Sequence, residues 1–221
     1  MTLTTHLTHL GLAGLLAVAG IAAASEAQMY KGYETPAYDV VRSDGAVELR
    51  RYAPHVVAEV RVRGDRQAAA GRGFRVLAGY IFGKNEGSAK VAMTAPVTQL
   101  PADPAADSWD VQFMMPAAFD MDSLPTPENP AIRFTQTAAE TQAVIRFSGF
   151  WTDAKLAAQT EALQAWAAAE GIALEGAPRF YFYDDPFTLP FNRRNEVAFV
   201  VADDVAGAVS GGAGARHAAV D

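Results

Sequence analysis

The sequence has no cysteine. Disulfides, thiolate metal sites, a cysteine nucleophile and a lipidated N-terminal cysteine are therefore excluded. Histidine is scarce as well: His6 and His9 lie near the start and His217 near the end, which leaves His55 alone in the body of the chain. A multi-histidine metal site does not fit that distribution. Positive charge is also short, with 18 Lys and Arg against 25 Asp and Glu and a net charge of −7. The basic residues are spread along the chain, so there is no nucleic-acid footprint.

What is present suits a globular protein. The 221 residues are 50% hydrophobic and 19% charged, enough for one domain, or a duplicated one, with an ample core. Residues 10–24, LGLAGLLAVAGIAAA, form an apolar stretch, and Ser25 and Ala27 put small residues at −3 and −1 of a cut before Gln28. This reads as an export signal over residues 1–27, with a periplasmic or secreted product and no stable membrane span after cleavage. The first nine residues carry no Lys or Arg, and residues 7–24 reach the spanning minimum of roughly 17 residues. An uncleaved membrane anchor is the alternative. Residues 203–221 are rich in Gly and Ala and read as a disordered tail.

The domain proper then runs over residues 28–202. After a short polar lead at 28–36, alternating apolar residues predict strands at 38–42, 46–52, 56–62, 97–100 and 109–115. Further strands are predicted at 132–136, 142–147, 179–183 and 196–201. Asp65 caps a helix that stops at Gly83, and Thr152 or Asp153 caps a second that closes at Gly171. Each half reads strand, strand, helix, strand, strand. The expected class is α+β: a curved sheet or distorted antiparallel β-barrel of two repeated halves with two flanking helices.

In the first helix Ala70, Phe74, Leu77 and Ile81 make one apolar face, and Ala69, Gly73, Val76 and Tyr80 a second arc. Arg72 and Arg75 bracket Gly79 on the narrow polar side. Gly71, Gly73 and Gly79 each cost about 1 kcal/mol against Ala inside a helix. Two accounts offset that cost: close packing of helix on sheet, or a bare backbone for a flat ligand.

Four motifs occur in register: VELRRYAP (residues 47–54), YIFGKNEGSAKVAMTAPV (80–97), RFSGF (146–150) and RRNEV (193–197). Together they resemble the SOUL haem-binding family over about residues 33–201. The resemblance implies a distorted barrel of two repeated halves and non-covalent binding of haem or a related tetrapyrrole beside the first helix. Phe74, Leu77, Ala78 and Ile81 would then supply apolar surface, and Arg72 and Arg75 would meet two propionates. Tyr183, Phe187 and Leu189, in the aromatic stretch 181–194, make a second candidate wall. Arg51 stands where some members carry a His, and Leu189 where some carry a Lys. His55 is the one body histidine able to ligate iron, against an ordinary strand-start role. Met93 is a soft contact or iron ligand, against a purely architectural role for the passage that carries it.

Three functions compete. The first is a non-catalytic tetrapyrrole carrier, buffer or scavenger of the cell envelope, and the second is a binder of another flat hydrophobic molecule. The third is a hydrolase using Glu48, Tyr183, Asp184, Asp185 or Glu196. No nucleophile–base pair supports the third, and Asp184-Asp185-Pro186 reads as a turn. Composition does not address oligomeric state. The signal reading predicts that the exported chain begins at Gln28, which intact mass of the secreted product tests. A full-length species held in the membrane would establish the anchor instead.

Overall fold

The computed structural model describes residues 28–103 and 107–202. The expected signal at 1–27 and the expected tail at 203–221 lie outside these residues.

The chain begins with a hairpin, β1 (Gln28–Tyr30) and β2 (Tyr33–Thr35), turned by Gly32 at φ 87°. There follow β3 (Tyr38–Asp44), β4 (Val47–Tyr52), β5 (Val56–Arg63), helix α1 (Arg66–Ile81), β6 (Val97–Asp103) and β7 (Ser108–Met114). The second half holds β8 (Ile132–Gln136), β9 (Glu140–Phe147), helix α2 (Asp153–Ala169), β10 (Leu174–Phe182) and β11 (Asn195–Val201). The polar lead of the sequence thus contains a hairpin that its composition did not announce.

Two-residue alternation gives the sheet two different faces. On β5, Val56, Ala58 and Val60 enter a core under α1, while Glu59 and Arg61 pair with Arg133 and Asp110 on the other face. On β11, Val197, Phe199 and Val201 enter a core under α2, while Glu196 and Ala198 face away. Apart from the hairpin, the strands form one antiparallel sheet of nine, in the order β3-β4-β9-β11-β10-β6-β7-β5-β8.

That order exposes the duplication. The units β4-β5-α1-β6-β7 and β8-β9-α2-β10-β11 match element by element and meet where β10 pairs β6. Each unit lends its first strand to the other, so that β4 pairs β9 and β8 pairs β5. The expected closed barrel is not formed, because β3 pairs only β4 and β8 pairs only β5. A barrel encloses one interior. Here each half buries its own helix, in two separate clusters, so the sheet stays open with β3 and β8 as edges.

The two helices begin as expected. The Asp65 carboxylate accepts from Ala68 N at 2.8 Å, and Thr152 Oγ1 accepts from Lys155 N at 3.2 Å. Arg66 ties the two helix starts together: Nε donates to Asp153 Oδ1 at 2.6 Å and Nη2 to Trp151 O at 2.7 Å. The packed stripe of α1, however, is rotated from the expected one. Ala69, Gly73 and Tyr80 join Leu77 and Ile81 in the buried face, and Phe74 is left half exposed with its ring edge on Phe113.

Gly73 explains the rotation. A Cβ built there would lie 2.6 Å from Val111 Cβ, so only glycine lets the helix approach β7 this closely. Gly71 meets only the far end of Arg75, at 3.7 Å, and Gly79 only the Lys84 side chain, at 3.1 Å. Close packing therefore accounts for one of the three glycines. Gly73→Ala is expected to lose roughly 1–3 kcal/mol by overpacking, whereas Gly71→Ala gains up to about 1 kcal/mol. Urea midpoints of the two variants test this, and equal midpoints would contradict the packing account.

Candidate functional site

A groove of about 510 Å³ runs along the outer side of α1. Residues 72, 75, 76, 79 and 80 recur with the helical period, so one strip of α1 forms its inner wall. Val76 is its partly exposed apolar residue, Tyr80 and Ile132 lie almost fully buried beneath it, and Gly79 makes room for the Lys84 side chain. Arg72, Arg75 and Lys84 bring three cations to the rim, and Glu128 and Asn129 stand there too.

The passage after the helix builds the opposite wall. Gly83, at φ 112°, turns the chain so that Lys84 folds back over Gly79. Buried Asn85 donates to Tyr80 O and Ala89 O, both at 2.8 Å, and accepts from Ala89 N at 2.9 Å. Glu86 N then donates to Thr126 O at 2.8 Å, and Tyr80 Oη to Pro125 O at 3.0 Å. The GKNEGS stretch thereby docks the proline-rich connector against the helix end, which places Glu128 and Asn129.

The three cations are not equivalent. Arg72 donates to Arg63 O and so braces the turn at Gly64. Arg75 and Lys84 enter no ion pair among the described residues. Two uncommitted cations at the rim of a groove suit a molecule carrying carboxylates. Burial pushes the Tyr80 hydroxyl up to about 12, and it already donates to a carbonyl. No His, Cys or Met lines the groove, so the donor set offers no ready iron ligand. The residues present fit the ring and acid groups of a tetrapyrrole, and they hold its metal by no side chain of their own.

The face opposite the helices is polar and closed. Glu196, 0% exposed, accepts from Arg50 Nη1 and Nη2 at 2.9 and 3.0 Å, from Arg194 Nε at 2.9 Å and from Tyr183 Oη at 3.0 Å. The hairpin covers this cluster: Tyr30 sets its ring edge on Tyr183, with centroids 5.2 Å apart, and Tyr30 Oη donates to Asp184 Oδ2 at 3.0 Å. Thr94 Oγ1 donates to Met114 O at 2.7 Å and Ala95 N to Glu34 O at 2.9 Å, so the MTAP passage seats the hairpin. The space left on this face is about 40 Å³, room for water rather than for a ligand.

Comparison with known proteins now bears on these features. Residues 33–200 match the family described as SOUL heme-binding protein. The chain belongs to that family. It is 30% identical over 188 residues to Heme-binding protein 2 of Mus musculus, covering 80% of this chain and 89% of the mouse protein. Heme-binding protein 2 of Homo sapiens is 29% identical over 184 residues, covering 79% and 87%. The crystal structure of the EcmrR C-terminal domain superposes with a TM-score of 0.55 at 16% identity, over 75% of this chain and 98% of that one. A hydrolase from Listeria innocua gives a TM-score of 0.52 at 11% identity, over 73% and 94%. At those identities the two structures speak for the fold alone.

Within this SOUL fold the residues singled out in the sequence fall in several places. Arg72 and Arg75 line the groove. Leu77, Ala78 and Ile81 are buried beneath α1, where they hold the helix on the sheet and offer no surface to a disc. Phe74 sits at the edge of that core. Tyr183 is buried under the hairpin, while Phe187 and Leu189 project from the β10–β11 loop. His55 borders the small cavity on the polar face, with Nδ1 3.0 Å from Ala53 O and 3.2 Å from Thr137 Oγ1. Burial lowers its pKa. It lies on the wrong side of the sheet to reach the groove, and no cluster of three metal-binding side chains exists among the described residues.

Sequence reasoning missed Val76, Tyr80, Lys84 and Ile132 as lining residues. Val76 and Tyr80 were legible at i+1 and i+5 from Arg75, but Lys84 and Ile132 arrive only through the docked loops. The acid–base candidates are spoken for. Asp185 accepts from Phe187 N and Thr188 N, and Glu196 is surrounded by its donors.

For Glu196, burial would raise the carboxyl, but the Arg50 and Arg194 guanidiniums outweigh it and hold the pKa below the ordinary 4.5. The folded value is the lower one, so the cluster contributes fully above pH 4.5 and its contribution is lost as pH falls through the folded value. Glu196→Gln strands a buried guanidinium and is expected to cost about 3–5 kcal/mol at neutral pH. Urea unfolding from pH 7 down to 3 tests both claims. The variant should also lose less stability on acidification than the parent, and parallel curves would contradict the assignment.

Proposed function

We propose that the protein binds haem or a related tetrapyrrole non-covalently in the α1 groove and serves as a carrier or buffer in the cell envelope. One observation carries this reading: Arg75 and Lys84, in no ion pair among the described residues, stand at the rim of a groove of about 510 Å³ walled by Val76 and the small residue Gly79 of α1. Membership of a heme-binding family supports the ligand class, and the relatives' printed names agree with it. The apolar leader at residues 10–24 supports the location. No Ser, Thr, Cys or His lines the groove, so binding is the reading it favours over catalysis.

The chain's own residues divide the work. Val76 and the aliphatic stems of Arg75 and Lys84 remove part of one face of the ring from water. Arg75 and Lys84 meet the acid groups, and Arg72 holds the Gly64 turn in place while offering its remaining N–H groups. The cofactor, when bound, would supply its own redox or ligand chemistry.

A second reading rests on the same geometry. Without an iron ligand in the groove, another flat hydrophobic carboxylate, or the metal-free ring, fits as well as haem does. Titration with haem and with metal-free protoporphyrin separates the two readings. Equal affinity assigns the site to the ring and its acids.

Arg75→Ala/Lys84→Ala should weaken binding about 10- to 100-fold, the scale of two solvent-exposed hydrogen bonds at about 1 kcal/mol each. Gly79→Trp should block the groove without altering charge, and His55→Ala should leave the Soret band unchanged. Circular dichroism controls for folding. Folded variants that all bind as the parent does would remove the site from α1, and a Soret band lost in His55→Ala would move it to the polar face.

A further inference from the structure

The β10–β11 loop is built inside out. Its polar groups turn inward: Asp185 Oδ1 accepts from Phe187 N at 2.7 Å and Thr188 N at 3.0 Å, and Arg193 donates to Thr188 O at 2.8 Å and Pro186 O at 2.7 Å. The neighbouring 148–151 turn is stitched to it by Gly149 N to Pro190 O at 2.8 Å and Asn195 Nδ2 to Gly149 O at 3.1 Å. Its apolar groups turn outward: Phe187 is 95% exposed, Phe191 70%, Phe150 62% and Leu189 57%. Four large side chains are thus held in water by a fully bonded scaffold, the reverse of what a surface loop needs.

Three features identify what covers them. The first is composition. Arg193 lies over Phe150 and Trp151, at 5.5 and 5.6 Å from their ring centroids, which joins aromatic rings and a cation at one tip, as at a bilayer interface. The second is charge. Lys31 is paired with Asp184 at 2.5 Å and Arg193 is spent on loop carbonyls, so neither of these two demands an ionic partner. The third is continuity. Lys31 also reaches Asn192 O at 3.3 Å, so the hairpin tip rests on this loop. The chain enters that hairpin at Gln28, about 10 Å of strand away, directly after the apolar residues 10–24. On the anchor reading of that leader, this end of the domain stands beside the membrane.

We propose that Phe150, Phe187, Leu189 and Phe191 form a membrane-docking tip that inserts into a neutral lipid surface. Insertion draws on apolar burial and is insensitive to salt. It would set the domain on the membrane from which it emerges, and it stands apart from the groove on α1. The leader reading contributes to the choice of occupant, and the control chain carries the same leader, so binding by the leader alone affects both equally.

Full-length Phe187→Trp is mixed with phosphatidylcholine vesicles bearing brominated acyl chains, with exposed Ala165→Trp on α2 as control. The expected result is bromine quenching of the emission that the Phe187→Trp change adds, maintained in high salt and absent from the control. Adding Leu189→Ser and Phe191→Ser to the Phe187→Trp chain should reduce that quenching at least about tenfold per unit lipid, since each change removes a side chain that lipid would bury. Quenching no greater than the control overturns the proposal. So does shielding of the introduced indole from acrylamide without lipid, which would mean that the leader packs on the tip. A concentration-dependent dimer lost in the Leu189→Ser/Phe191→Ser chain would assign the patch to a second copy and overturn it equally.

Discussion

A buried carboxylate, Glu196, ties the strand that the first half lends, β4, to the second half. It sits on β11, and its partner Arg50 on β4, with β9 between them in the sheet. Arg50 belongs to the first unit and Glu196 to the second, 146 residues apart. Both groups are out of water, so each would be costly alone. The sheet is stable only in the register that brings them together. Arg194 and Tyr183 fill the remaining acceptor positions, and no buried side-chain polar atom among the described residues lacks a partner.

That saturation divides the labour between the faces. The polar face is spent on holding the halves together and is roofed by the hairpin through Tyr30, Lys31 and Glu34. The helix-bearing face keeps unspent chemistry along α1, where Arg75 and Lys84 enter no ion pair among the described residues. Gly73 and Gly79 show the same division on one helix. The first glycine lets backbone meet Val111, and the second lets the Lys84 side chain lie against the helix at the groove. The site on α1 is therefore separable from the stability of the sheet, and the exposed tip at Phe187 is separable from both.

Much of this was legible from the chain in order. Alternation located the nine strands of the sheet, although β10 begins at Leu174, upstream of the expected Arg179, because a register shift between Glu175 and Arg179 interrupts its pattern. Caps at Asp65 and Thr152 and stops at Gly83 and Gly171 located both helices. The hairpin was not legible, since two three-residue strands with polar neighbours carry no periodic signal. Its strands exist because Tyr30 finds Asp184 and Glu34 finds Ala117, 154 and 83 residues away.

Local pattern, caps and the four motifs determined the class, the element order, the family and the arginine strip of α1, because each depends on residues within a few turns of one another. Tertiary structure alone decided that the sheet stays open, that the buried stripe of α1 rotates onto Gly73, that Leu77 and Ile81 belong to the core, and that Lys84 and Ile132 complete the groove. Each of those outcomes turns on a contact between segments distant in sequence. A Cβ that Val111 cannot accommodate, or a loop that Asn85 pins to the proline-rich connector, has no signature in either segment by itself.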